Sequence, residues 1–189
     1  CPEILIVAGG PHVQKARDYL FSEAVDIIVL GEGEATFTDF LDAAGPDEWH
    51  SVAGLAFVEN GELVQTAERP RFRNLNLLPS PLNVISLLDG DGKPYDCIAY
   101  ETSRGCPYKC AFCEWGTGAI GTKMLSFSVE RIRHDWNHIV DAGIKNIWLC
   151  DSNFGALKED VDKAKVLCEI KQRTGMPHTF ATSWSKKHG

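Results

Sequence analysis

The sequence lacks the features of a membrane-spanning, exported or nucleic-acid-binding protein. Its longest purely apolar runs, such as residues 4–8, have only a few residues, whereas a membrane span needs about 20. No basic start leads into an apolar middle, so no signal peptide is indicated. Acidic residues outnumber basic ones by 26 to 19, which gives a net charge of -7. An acidic chain does not attract phosphate, and we expect neither a nucleic acid nor a membrane as partner.

The sequence also lacks, at both ends, the features expected at the ends of a complete protein. It starts at Cys1 rather than at Met, and its last residues follow directly on a predicted strand. We therefore expect a piece of a longer polypeptide that is inactive alone. The 189 residues, of which 44% are hydrophobic and 24% charged, suffice for one sizeable or two small soluble domains.

The cysteines do not have the distribution of a disulfide scaffold. There are seven, an odd number, and three of them fall within eight residues. Secreted scaffolds spread their cysteines along the chain. A metal site in the reducing cytoplasm fits this pattern better.

Apolar patterning predicts two strand–helix alternations, which are typical of parallel sheets covered by helices. The first has buried strands at 3–8 and 26–30, helices at 12–24 and 35–44, and a hairpin at 54–65 that turns at Asn60-Gly61. Irregular chain follows. The second has strands at 97–100, 147–150 and 178–183, and helices at 128–141 and 157–174. We predict an α/β protein with a first domain at 1–65, a linker at 66–95 and a second domain at 96–189.

Three cysteines lie on the loop after the strand at 97–100. Cys106, Cys110 and Cys113 have the spacing C-x3-C-x2-C. Cysteine thiolates hold iron–sulfur clusters, and three ligands leave the fourth iron of a cubane open for chemistry. The alternative is a closed zinc site, with Cys97, Cys150 or a histidine as the fourth ligand, but zinc ribbons use two C-x2-C pairs and no second pair exists here.

The remaining cysteines of the second half lie in apolar patterns. Cys97 and Cys150 belong to predicted strands, and Cys168 follows the apolar spacing of a predicted helix. Free cysteine is among the most buried residue types, so we predict that all three are core residues.

The cysteine loop resembles the signature of the radical S-adenosylmethionine (SAM) superfamily. The resemblance implies that Cys106, Cys110 and Cys113 hold a [4Fe–4S] cluster and that Phe112 lies near the adenine of SAM. Members often have a Gly-Gly-Glu stretch after the second barrel strand, where this chain has Asp151-Ser152-Asn153. Asp151 and Asn153 are candidates to contact SAM or substrate; the alternative is that they cap the following helix.

Two glycine loops extend this resemblance. Gly9-Gly10-Pro11-His12 and Gly31-Glu32-Gly33-Glu34 end consecutive predicted strands, so they should lie side by side at the carboxyl edge of the sheet. Together with the cysteine loop they resemble the cobalamin-dependent radical SAM family. That resemblance implies a partial Rossmann-like cobalamin-binding domain followed by a partial (β/α) radical SAM barrel.

The family resemblance also implies three cofactors, a [4Fe–4S] cluster, SAM and cobalamin, and the residues that bind them. The candidate cofactor-binding residues are Gly9, Gly10, His12, Gly31, Glu32, Gly33, Glu34, Phe112, Trp115, Gly116, Asp151 and Asn153. His12 is interpreted as a loop contact or a structural residue rather than as the cobalt ligand, and the two glutamates alternatively as helix-start charges.

The run from Arg104 to Gly116 resembles members that methylate carbon. The implied reaction is reductive cleavage of SAM to a 5'-deoxyadenosyl radical, followed by methylation of an unactivated carbon by methylcobalamin. The alternative is a cobalamin-binding oxidoreductase, cyclase or rearrangement enzyme without methyl transfer. The expected partners are a small-molecule or peptide substrate and an electron donor such as flavodoxin or ferredoxin.

Overall fold

The computed structural model describes residues 4–10, 13, 15–20, 24–113 and 121–185. The chain divides into two compact units. The first comprises Cys1–Phe72 with Lys109–Ile120, and the second comprises Arg73–Tyr108 with Gly121–Gly189. Across the described ranges, no helix is long and apolar enough to cross a membrane. The domain boundaries given above stay a prediction.

The first unit contains a four-stranded sheet with helices. Its elements are β1 (Val7–Gly9), α1 (Arg17–Leu20), β2 (Ile27–Val29), α2 (Gly33–Asp42), α3 (Pro46–Trp49), β3 (Leu55–Glu59) and β4 (Glu62–Gln65). The strands follow the order β1-β2-β3-β4. β1 and β2 are parallel, whereas β3 and β4 form an antiparallel hairpin that continues the sheet. Asn60 and Gly61 have positive φ angles of 51° and 80°, which confirms the predicted turn.

Two predictions for the first unit are wrong in detail. The strand predicted as buried at 3–8 corresponds to β1, which covers only Val7–Gly9. Ile4 and Leu5, which the prediction placed in this strand, are 64% and 53% exposed. β1 is the edge strand of the described sheet, so one of its sides has no neighbouring strand. In the range predicted as the first helix, the described residues are helical only over Arg17–Leu20.

The second unit repeats strand and helix in the order of a (β/α) barrel. Its main elements are β5 (Cys97–Tyr100), α4 (Val129–Asp141), β8 (Asn146–Leu149), α5 (Asp160–Thr174) and β9 (Thr179–Ala181). The strands form a fully parallel sheet in the order β5-β8-β9. A short antiparallel pair, β6 (Ser103–Arg104) and β7 (Leu125–Ser126), lies between β5 and α4 in the sequence. The side chain of Ser128 accepts the Arg131 amide and caps α4, as predicted.

The parallel sheet buries one face and exposes the other. Tyr100, Ile147 and Leu149 are buried, whereas their strand neighbours Trp148 and Cys150 are exposed. Successive strand residues point to opposite faces, which explains why the prediction of buried strand cysteines is wrong for Cys97 and Cys150.

Cys168 is also exposed, so the third prediction of a core cysteine is wrong as well. The buried residues of α5 include Val166 and Ile170. Cys168 lies two positions from each of them, and two positions correspond to about 200° around a helix with 3.6 residues per turn. The cysteine therefore lies on the opposite side of α5.

The chain that was interpreted as a linker contributes to the core of the second unit. It has only short 3-10 turns, at Leu75–Leu77 and Pro81–Asn83, but four of its leucines are buried: Leu75, Leu78, Leu82 and Leu87. This segment also bonds to α4, because Arg131 Nη1 donates to the Leu78 carbonyl oxygen at 2.8 Å. From residue 73 onward the irregular chain is therefore part of a packed unit.

Candidate functional site

The cysteine loop begins where β5 ends, at the carboxyl edge of the parallel sheet. Gly105 turns the chain there with a φ of +102°, and a Cβ at this position would lie 2.4 Å from the carbonyl oxygen of Lys123. Only glycine combines this backbone angle with so close an approach. Backbone geometry therefore helps to determine the conformation of residues 102–105, which we call the loop entrance.

Asp151 holds the start of this loop from the neighbouring strand. It follows β8, which is parallel to β5, so the two strands end at the same edge. The buried carboxylate of Asp151 accepts hydrogen bonds from the amide and hydroxyl of Thr102 at 2.7 and 2.5 Å. It also accepts from the Ser103 hydroxyl at 2.8 Å and from its amide at 3.3 Å. Asp151 thus positions the two residues that precede Arg104 and Gly105.

Ser152 and Asn153 continue this set of contacts towards the first cysteine. The Ser152 hydroxyl donates to the Gly105 carbonyl oxygen at 2.5 Å. Asn153 Nδ2 donates to Cys106 Sγ at 3.1 Å and to Ser152 Oγ at 3.2 Å. Both Asn153 and Cys106 are buried. Asn153 Oδ1 is buried as well, and no donor among the described residues reaches it.

A buried lysine supports the same edge from α5. Lys163 Nζ donates to Asp160 Oδ1 at 2.7 Å and to Thr102 Oγ1 at 3.1 Å, and its side chain is fully buried. Asp160 Oδ2 accepts the amides of Gly155 and Leu157. Asp160 therefore binds the turn that precedes α5, whose N-cap residue Glu159 makes no capping bond with its side chain. The side chains of Asp151 and Asn153 bind the cysteine loop instead of capping this helix.

The three loop cysteines differ in their surroundings. Cys106 is buried in the second unit, whereas Cys110 and Cys113 are half-buried and belong to Lys109–Ile120, which is grouped with the first unit. The Cys113 amide donates to the Cys110 carbonyl oxygen at 3.1 Å. Within the described ranges, no group of three or more His, Cys, Asp or Glu side chains is placed to hold a metal. The assignment of the three thiolates as cluster ligands stays a prediction from their spacing.

Of the loop's candidates for cofactor contact, only Phe112 lies among the described residues. Phe112 is 88% exposed. Trp115 and Gly116 lie outside the described residues, as does His12 in the first unit. Their predicted cofactor contacts stay predictions.

The described glycines of the two glycine loops lie at one edge of the first sheet. Gly9 in β1 pairs with Val29 in β2, and because these strands are parallel, Gly10 and Gly31 follow at the same carboxyl edge. Both have positive φ angles, 98° and 74°, which favour glycine. The described glycines of the two loops lie side by side, as predicted.

The two glutamates of the second glycine loop have different roles. Glu32 Oε2 accepts the backbone amide of Phe72 at 2.8 Å, and Glu32 Oε1 lies 3.7 Å from Arg71 Nη2. Glu34 and Gly33 lie in the first turn of α2, where a carboxylate is favourable. The Glu32 side chain therefore binds Arg71 and Phe72, at the end of the segment Cys1–Phe72, and does not cap α2.

Known proteins similar to this chain include two methyltransferases. The 2-(S-pantetheinyl)-carbapenam-3-carboxylate methyltransferase of Streptantibioticus cattleyicolor is 32% identical over 197 residues, covering 98% of this chain and 28% of the relative. The cobalamin-dependent radical SAM methyltransferase TokK of Streptomyces tokunonensis is 30% identical over 196 residues, with the same two shares. This chain belongs to the cobalamin-dependent radical SAM family. It spans about 28% of the length of these curated relatives, and no family model matches it.

Solved structures confirm the fold of this family member. The radical SAM methyltransferase TsrM from Kitasatospora setae, solved with cobalamin and a [4Fe-4S] cluster, superposes with a TM-score of 0.63 at 18% identity over 90% of this chain and 34% of TsrM. Its structure with tryptophan and a SAM analogue gives 0.60 at 19% identity, over 89% and 33% of the two chains. The predicted α/β class, with the Rossmann-like part before the barrel part, is confirmed.

Several residues that build the loop entrance were missed from the sequence. Thr102, Ser103 and Ser152 had a detectable signal, because small polar residues follow two strands that were both predicted and expected to be parallel neighbours. Lys163 had none, because a lysine within a charged helix is usually solvated. Only its contacts with Asp160 and Thr102 show its place in the site.

Proposed function

We propose that the protein carrying this sequence is a cobalamin-dependent radical SAM enzyme that methylates an unactivated carbon. The proposal rests chiefly on the cysteine loop, which leaves a parallel sheet at its carboxyl edge in a chain 32% identical to a carbapenam methyltransferase. Its relatives support a small-molecule substrate, since TsrM was solved with tryptophan. A peptide substrate and a flavodoxin or ferredoxin as electron donor belong to the same proposal.

We assign Cys106, Cys110 and Cys113 as the thiolate ligands of a [4Fe–4S] cluster. The donor set fits the group, because all three are free cysteines and cluster irons take cysteine thiolates. Bound together, the cluster, SAM and cobalamin would supply the reducing electron, the radical and the methyl group. Free thiols throughout the described chain support the reducing cytoplasm as the compartment.

The roles of this chain's other residues follow from their places. Asp151 and Ser152 hold the loop backbone, and Asn153 turns a buried amide towards the first cysteine. Asn153 Oδ1 has no donor among the described residues, so it offers an acceptor to an amino group of SAM. Phe112 is assigned to the adenine, and the two glycine loops, with the carboxylates Glu32 and Glu34 and with His12, to cobalamin.

The experiment that tests this proposal compares cysteine variants of the intact protein. After anaerobic reconstitution, the unsubstituted protein should bind about four irons and four sulfides. Cys106→Ala, Cys110→Ala and Cys113→Ala should each lose most of this iron. Cys168→Ala is the matched control, because its exposed thiol lies outside the loop, and it should load normally. Equal loss in the Cys168 variant, or bound zinc in place of iron, would contradict the assignment.

The reaction itself is tested with SAM labelled in its methyl group, reductant and cobalamin. The loaded protein should release 5'-deoxyadenosine and transfer the label to cobalamin. 5'-Deoxyadenosine without any transfer of label would favour the alternative without methyl transfer. No cleavage of SAM by a fully loaded protein would contradict radical chemistry altogether.

A further inference from the structure

We propose that Asn153 sets the reduction potential of the cluster by donating a hydrogen bond to the sulfur of Cys106. This inference rests on the proposed function, because it concerns the cluster assigned to Cys106. Asn153 acts through a ligand and is a positioning residue. Its Nδ2 lies 3.1 Å from Cys106 Sγ, and both residues are buried.

The orientation of the Asn153 amide is determined by its neighbours. Ser152 has one hydroxyl hydrogen, which it donates to the carbonyl oxygen of Gly105 at 2.5 Å. Towards Asn153, Ser152 Oγ is therefore an acceptor, and it must face the amide nitrogen, which lies at 3.2 Å. The same nitrogen then faces Cys106 Sγ. A thiolate has no hydrogen and only accepts, so this arrangement suits the ligand form of the cysteine.

The hydrogen bond from Asn153 is expected to raise the reduction potential of the cluster. An electron added to an iron–sulfur cluster places more negative charge on its sulfur ligands, and hydrogen bonds to those sulfurs are among the factors that set the potential. A donated N–H stabilises the reduced cluster more than the oxidised one, so it raises the potential. The effect is strengthened at this site because Asn153 is only 2% exposed and Cys106 6%, and water competes little with a buried bond.

The test measures the midpoint potential of the reconstituted cluster in variants of Asn153. Asn153→Leu removes the donor at similar size, and Asn153→Asp removes it and adds a negative charge. A single hydrogen bond corresponds to about a tenfold change in the equilibrium constant. For a one-electron couple, tenfold is about 59 mV. Because only the difference in bond strength between the two redox states shifts the potential, we expect the Leu variant to be lower than the unsubstituted protein by up to this amount, and the Asp variant to be lower still.

The matched control is Asn137→Asp. Asn137 is a half-buried residue of α4. Its amide nitrogen donates to the Arg133 carbonyl oxygen and its amide oxygen accepts from Arg173, so the same chemical change is made away from the cysteine loop. Its potential should equal that of the unsubstituted protein. Variants of Asn153 that load a full cluster with an unchanged potential overturn the inference and leave the proposed function standing. An unsubstituted protein that binds no [4Fe–4S] cluster contradicts the proposed function itself.

A second measurement does not depend on how the variants fold. The reduced, unsubstituted protein is labelled with ¹⁵N in the side-chain amides of asparagine and studied by pulsed electron paramagnetic resonance. A ¹⁵N coupling to the cluster is expected, because Asn153 Nδ2 lies within hydrogen-bond distance of a ligand sulfur. The absence of any such coupling overturns the inference.

Discussion

Replacing Asp135 by asparagine removes a buried charge that joins α4 to the strand leading into the cysteine loop. The Asp135 carboxylate is fully buried. It accepts hydrogen bonds from four side chains: Ser80 Oγ at 3.0 Å, Tyr100 OH at 2.8 Å, Arg131 Nε at 2.9 Å and His134 Nδ1 at 3.2 Å. Tyr100 is the last residue of β5, and Ser80 belongs to the irregular segment before it. One side chain thus connects three parts of the second unit.

The expected loss of stability is large. Removing one partner from a buried, hydrogen-bonded charge pair costs about 3–5 kcal/mol. Asparagine keeps the shape and one acceptor oxygen of Asp135, but its amide group faces donors, so we expect about 3 kcal/mol, at the lower end of that range. For a chain of this size each kcal/mol lowers Tm by about 2–4 °C. Asp135→Asn should therefore lower Tm by about 6–12 °C at pH 7.

The loss should depend on pH in a definite direction. Burial raises the pKa of Asp135, but the hydrogen bonds from Arg131 and the other donors lower it by more than burial raises it. The pKa of Asp135 therefore lies below its usual value. A carboxyl whose pKa is lowered by folding stabilises the protein above its unfolded pKa of about 3.9. That contribution is lost as the pH falls through the folded pKa. The Tm difference between the two proteins should be full at pH 7 and shrink below about pH 4.

The assay is thermal unfolding followed by circular dichroism between pH 3 and pH 7. Asp141→Asn is the matched control, because Asp141 is an exposed residue at the end of the same helix, and its Tm should be unchanged at pH 7. An Asp135→Asn protein with the Tm of the unsubstituted protein would refute the network as a source of stability. A Tm difference that stays constant down to pH 3 would refute the role of the charge.

Two further predictions concern the loop entrance and its buried lysine. Gly105→Ala should lower iron loading several-fold, because its Cβ would lie 2.4 Å from the Lys123 carbonyl oxygen; Gly90→Ala, with no atom within 4 Å of the added Cβ, should load normally. Normal loading of the Gly105 variant would contradict the need for glycine. Lys163→Met should lower Tm at pH 7, since it leaves buried carboxylate Asp160 without its cation, at a cost of about 3 kcal/mol, whereas Lys165→Met on the exposed side of α5 should not. Equal melting of both lysine variants would show that the buried pair contributes no net stability.

Elements whose signals lie in neighbouring residues could be predicted from the sequence alone. The turn at Asn60-Gly61 was predictable because few residue pairs adopt positive φ angles at both positions. The cap at Ser128 and the strand–helix order of the second half follow from neighbouring residues in the same way. The three-cysteine spacing and the glycine loops likewise carry the family resemblance, since all their residues are close in the sequence.

Which faces are buried and which groups come into contact depends on how the elements pack. Cys97, Cys150 and Cys168 lie in apolar patterns, but an apolar pattern does not specify which side of a strand or helix faces the core. The irregular segment is a packed part of the second unit because its leucines find partners distant in the sequence.

Contacts across the sheet edge also depended on the fold. Asn153 and Cys106 are 47 residues apart, and Lys163 is 61 residues from Thr102. Hydrogen bonds over such separations exist only once β5, β8 and α5 are packed together. The sequence could therefore indicate a cysteine site. That Asn153 donates to the sulfur of Cys106, and that buried Lys163 binds Thr102, followed from the three-dimensional arrangement alone.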